Sequence, residues 1–67
     1  MFRITSEQID DMVKTQYEDV LSTLEELGNY VLKLGMEIEY IDQTNTSRIS
    51  SKQELKGWIN ELRELYE

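Results

Sequence analysis

The sequence predicts an all-α protein: a long helix over about residues 6–42, a loop, and a short helix over about 51–66 folded back antiparallel. Three observations predict it. Large residues recur at Val13, Tyr17, Val20, Leu24, Leu27, Val31, Leu34, Ile38 and Ile41 in alternating steps of four and three, a heptad seam over four heptads. A capping-box pair stands before each segment, Thr5 with Gln8 and Ser51 with Glu54. Between the two segments "QTNTSRISS" is polar, β-branched and rich in turn formers, which reads as a loop.

The first helix opens with Ile4 and Ile9 at the two positions of a hydrophobic staple. Glu7, Asp10 and Asp11 then lie near the positive end of its macrodipole. Its weak points are Gly28 and Gly35, each costing about 1 kcal/mol relative to Ala inside a helix. They share one heptad position beside the seam, where a glycine lets a neighbouring helix come close. A competing pattern runs through "KLGMEIEYID" at 33–42, where Met36, Ile38 and Tyr40 alternate with Glu37 and Glu39 as in a half-buried strand. That alternative caps the helix at Gly35 and gives a small α+β domain with a hairpin at 36–50, its strands at 36–42 and 47–50 around "QTNT". The longer heptad register outweighs the short alternation. The second helix follows from Leu55, Trp58, Ile59, Leu62, Leu65 and Tyr66 at helical spacing.

A helix of that length spans about 55 Å and its partner about 24 Å. The N-terminal half of the seam (Val13, Tyr17, Val20, Leu24) is then left uncovered, and Ile9, Leu21 and Tyr30 widen the apolar face. A second copy is the simplest cover. The expected state is a homodimeric helical bundle of one small helical domain per chain, residues 1–67.

Composition narrows the chemistry. With neither Cys nor His, disulfides, zinc sites and the usual nucleophile–base pairs are excluded, and no enzyme or cofactor is expected. Asp42–Gln53 has the length of a calcium loop, but Thr44, Thr46, Ser47 and Gln53 stand where ligands, the turn glycine and the closing Glu belong. The longest apolar run is Tyr30-Val31-Leu32, too short for a membrane span. With no cysteine and no signal peptide, the expected location is cytoplasmic, and the sequon Asn45-Thr46-Ser47 reads as chance.

The net charge of −7 lies entirely in residues 1–42, while residues 43–67 sum to zero. Phosphates would be repelled, so neither nucleic acid nor anionic lipid is an expected direct partner; a basic protein surface would be attracted. In the heptad register Asp11, Glu18, Glu25 and Glu39 share one position, with Asp19 and Glu26 beside it. The doublets Glu18-Asp19 and Glu25-Glu26 therefore stack about 10 Å apart. Like charges this close cost stability, and only Lys33 interrupts the stripe. The expected function is a small acidic regulatory protein that binds and inhibits a protein partner by covering a basic, nucleic-acid-binding surface, as a DNA mimic or antirepressor does. The alternative is a coiled-coil oligomerisation or adaptor module in which the seam itself is the function. A weaker third reading makes Trp58, Tyr66 and Tyr40 an aromatic anchor for a partner.

Overall fold

Thr5 ends a strand and begins a helix. In the computed structural model, which describes residues 1–15 and 19–66, its N–H donates to Gln8 Oε1 at 2.9 Å while the Gln8 N–H donates to Thr5 Oγ1 at 3.1 Å. This is the capping box the sequence predicts. The residues before it form strand β1 (Phe2–Thr5), and α1 (Ser6–Thr15) follows without a linker. Helix α2 (Val20–Lys33), strands β2 (Ile38–Asp42) and β3 (Asn45–Ile49), and helix α3 (Lys52–Tyr66) complete the described chain.

The all-α bundle and its coiled-coil seam are thus replaced by an α+β fold, with a three-stranded mixed sheet in the order β1-β2-β3. Two breaks interrupt the long helix. At Asp19 the backbone is non-helical (φ −71°, ψ 89°), and its carboxylate caps α2 by accepting from the Ser22 N–H at 3.1 Å. At Gly35 φ is +83°, and the N–H groups of Gly35 and Met36 donate to the carbonyls of Leu32 and Val31 at 3.0 and 3.2 Å. These two bonds are a Schellman motif, which ends α2 and turns the chain into β2. The alternation is a strand after all, but only from Ile38 to Asp42, two residues shorter than the 36–42 of the alternative reading. Its hairpin partner begins two residues earlier than the alternative reading places it, and Gln43-Thr44 make the turn.

The heptad pattern misleads because a three-residue step keeps a face in a helix and reverses it in a strand. Ile38 is buried against the helices, whereas Ile41 lies on the opposite side of the sheet and is half-exposed. Of the other seam positions, Leu24 and Val31 are buried, Val13 and Val20 are partly buried, and Leu27 and Leu34 are exposed. Tyr17 lies outside the described residues.

β1 and β2 run parallel, with Phe2 beside Ile38 and Ile4 beside Tyr40. A parallel pair needs a crossover, here supplied by α1 and α2. β2 and β3 are antiparallel, with Ile38 opposite Ile49 and Glu39 opposite Arg48. All three helices cover the face that carries Ile4, Ile38, Tyr40 and Ile49, and the other face carries Arg3, Thr5, Glu39, Ile41 and Arg48. The staple residues Ile4 and Ile9 are both buried in the resulting core. The loop reading of 43–51 holds only for the turn and for Ser50-Ser51.

α3 packs antiparallel on α2, with its first turns beside Gly28 and its last turn beside Asp19. At Gly28 a Cβ would stand 2.7 Å from Leu55 Cδ1 and 3.2 Å from Ile38 Cδ1. Leu55 is 1% exposed and has nowhere to retreat. Gly28→Ala should therefore destabilise the fold by about 1 kcal/mol net, because overpacking of about 1–3 kcal/mol exceeds the gain of about 1 kcal/mol in helix propensity. Urea unfolding of Gly28→Ala with and without Leu55→Val measures this. The double variant, which shortens the obstructing side chain, should recover part of the loss relative to Leu55→Val alone. Gly35→Ala should also cost about 1 kcal/mol, since its φ of +83° is strained for any side chain although open space surrounds it.

Candidate functional site

The carboxylates of the predicted stripe are dispersed by the fold. Asp11 is exposed on α1, Glu25 and Glu26 are on α2, and Glu39 is in the central strand on the sheet face away from the helices. Glu18 lies outside the described residues. Two of the stripe's acids are engaged by arginines. Arg3 Nε meets Glu39 Oε1 at 3.1 Å across the β1–β2 pair, and Arg63 Nη1 meets Asp19 Oδ2 at 3.4 Å. Lys14 Nζ is also held, at 2.8 Å from Asp10 Oδ2 one helical turn away. The single-helix row of negative charge does not form.

A different feature appears beside β1. A groove of about 670 Å³ runs along the outer side of this strand. Its lining comes from β1 (Phe2, Arg3, Ile4), α1 (Gln8, Asp11, Met12) and α2 (Val20, Thr23, Leu24, Leu27). Leu24 is buried, Val20 is half-buried and Leu27 is 42% exposed, so apolar side chains at several depths face one open space. The apolar surface continues along α2 through Tyr30 and Leu34, which are 61% and 58% exposed and follow Leu27 at helical spacing. Three of the predicted seam residues therefore line the groove. The sequence reading missed Phe2, Ile4 and Met12 as its companions. The signal for the first two is present in "FRIT", where large apolar residues alternate with Arg3 and Thr5 immediately before the capping box.

The aromatic residues take other places. Trp58 is buried in the core and packs against Tyr40 at 5.2 Å between ring centroids, tilted by 53°. Its Nε1 has no hydrogen-bond partner among the described residues. Trp58 therefore supports the core, and it does not form an exposed anchor.

Electrostatics tie α3 to α2. Ser22 Oγ donates to Asp19 Oδ2 at 2.7 Å, and Arg63 Nη2 donates to Ser22 Oγ at 2.9 Å, joining the end of α3 to the start of α2. The Ser22 hydroxyl and N–H, and then Arg63, hold the Asp19 carboxyl below its ordinary value. The Asp10 carboxylate holds Lys14 above its ordinary value. Burial, followed by nearby carboxylates, raises the hydroxyls of Tyr40 and Tyr66.

Among the described residues, no group of acids is arranged to hold a metal ion, and no helix is long and apolar enough to cross a membrane. No protein-family model matches the chain, and neither the curated proteins nor the solved structures yield a match.

A depressed carboxyl contributes stability above its unfolded value and loses it as pH falls. Asp19 should therefore contribute above about pH 3.8 and progressively less below it. Asp19→Asn keeps a good N-cap side chain but has no charge to lose, so thermal melts should show a flatter acid limb with the helix intact. The raised tyrosines act at the other end. Their contribution is present below about pH 10.0 and is lost as pH rises through their folded values, so Tyr40→Phe should flatten the alkaline limb.

Proposed function

We propose that this chain is a small acidic regulatory protein that acts by binding another protein, and that the groove beside β1 is where the partner seats. The observation that carries the reading is the groove itself: an open apolar channel along an unpaired strand edge, in a chain of net charge −7. Apolar side chains supply the contact area, with Met12, Val20 and Leu27 as its exposed or half-buried part. The surplus of acid supplies selectivity for basic partners and speeds their approach. Inhibition follows if the seated segment belongs to the partner's own working surface.

This reading keeps the acidic binder and the basic partner expected from sequence but moves the contact. Charge mimicry needs carboxylates in a row, whereas Asp19 and Glu39 are taken up by Arg63 and Arg3. The expected homodimer keeps only part of its original motive: the long seam is divided among α1, α2 and β2, while Leu27, Tyr30 and Leu34 stay exposed on α2. The coiled-coil adaptor falls with the coiled coil.

Immobilised protein should capture a set of lysate proteins enriched in basic chains, and capture should weaken as the Debye length shrinks from about 10 Å to about 3 Å. Leu27→Asp, placed on an exposed part of the groove, should abolish capture while circular dichroism stays unchanged. Retention unaltered by Leu27→Asp, or a captured set without charge bias, would refute the reading.

A further inference from the structure

The backbone of β1 says what shape of segment the groove takes. The Phe2 N–H donates to the Glu37 carbonyl at 3.0 Å, so the parallel ladder turns the backbone groups of Phe2 and Ile4 toward β2. Those of Arg3 and Thr5 then point to the outer edge. The Thr5 N–H is occupied by Gln8 Oε1. Within β1, Arg3 is therefore the one residue that offers a visitor both its N–H and its C=O.

A visiting strand residue paired with Arg3 would place its two neighbours beside Phe2 and Ile4, with their side chains in the groove. Apolar residues suit those two positions. The paired residue itself lies on the face of Arg3, whose guanidinium is already held by Glu39. A basic residue there would meet a like charge. The next groove-facing positions outward can reach the rim, where Asp11 is exposed and has no ion pair with Arg3 or Lys14. A basic residue suits the one beside Asp11, and the net charge of −7 favours one at the other end as well.

We propose that the groove binds an extended segment of a basic partner as a fourth, antiparallel strand on β1, reading a basic–x–apolar–x–apolar–x–basic pattern whose central residue exchanges both backbone hydrogen bonds with Arg3. The proposal rests on the groove being the binding surface and adds the conformation and sequence pattern of its occupant. Charge separates it from a second copy of the same chain, which would bring another −7 to the interface. The outer edge of β3 is the competing site for strand addition, but its Thr46, Ser47 and Arg48 are exposed, and β3 contributes no residue to the groove.

The probe is the heptapeptide Lys-Thr-Val-Thr-Val-Thr-Lys, titrated into the labelled full chain and followed by amide chemical shifts. Saturable shifts at Arg3, Met12 and Leu27, with cross-strand contacts from the central Thr to Arg3, are expected. Replacing the central Thr by Pro removes a backbone donor and should weaken binding about tenfold, the equivalent of one hydrogen bond of about 1.4 kcal/mol. Replacing both terminal Lys by Glu should weaken it at least as much. Shifts centred on Thr46 and Arg48, equal binding of the Pro or Glu peptide, or no saturation at millimolar peptide would each overturn the proposal. So would concentration-dependent shifts at Arg3 and Leu27 in the free protein together with a dimer by light scattering. If the peptide fails while Leu27-dependent capture of basic proteins persists, the strand model is lost and the broader binding role stands.

Discussion

Everything in this fold is arranged around the bare Cα of Gly28. Leu55 and Ile38 come so close to it that any side chain would intrude, so one point joins α2 to α3 and to the central strand. The antiparallel seating of α3 is then closed at the other end by Arg63 reaching Asp19 and Ser22. A van der Waals contact at one end and a charge-assisted cluster at the other hold the two helices in register. Of the two, burial carries more weight, because the ion pair is largely exposed to water and exposed pairs contribute little.

How much of this could be read from residues alone depends on the range of the signal. Both capping residues, Thr5 and Ser51, are where local chemistry places them, and α3 follows from its own apolar spacing. Glu54 accepts from the hydroxyls of Ser50 and Ser51, a variant of the expected box. Gly35 also carried the right information, since only its left-handed backbone completes the Schellman motif. What failed was a tertiary matter. A period near 3.5 is satisfied equally by one long helix and by helices and a strand whose buried residues happen to keep step. Asp19 decided against the long helix through hydrogen bonds to Ser22, and a seam drawn from large residues takes no account of polar ones. β1 was passed over because its alternation, Phe2 and Ile4 against Arg3 and Thr5, is only four residues long and runs straight into the capping box. The candidate groove was therefore invisible as a unit, although Val20, Leu24 and Leu27 stood in the seam all along.

The acids illustrate the same limit. Their heptad repeat was real in the sequence, but the single helix that would align it is divided among α1, α2 and β2. In three dimensions Asp10, Asp19 and Glu39 serve local structure by holding Lys14, Arg63 and Arg3. The chain as a whole stays strongly negative, at −7, a charge that acts at long range on any approaching partner.

The hairpin turn has a consequence for how the molecule reaches this state. Gln43 holds φ at +53°, a conformation that glycine or asparagine adopts more cheaply. Such a turn favours the hairpin less than a glycine would, and the cross-strand pairs from Ile38–Ile49 to Asp42–Asn45 hold it closed. The hairpin nevertheless pairs residues close in the chain, whereas β1 must meet β2 across 36 residues, Phe2 beside Ile38, so loop closure weighs on the parallel pair and not on the hairpin.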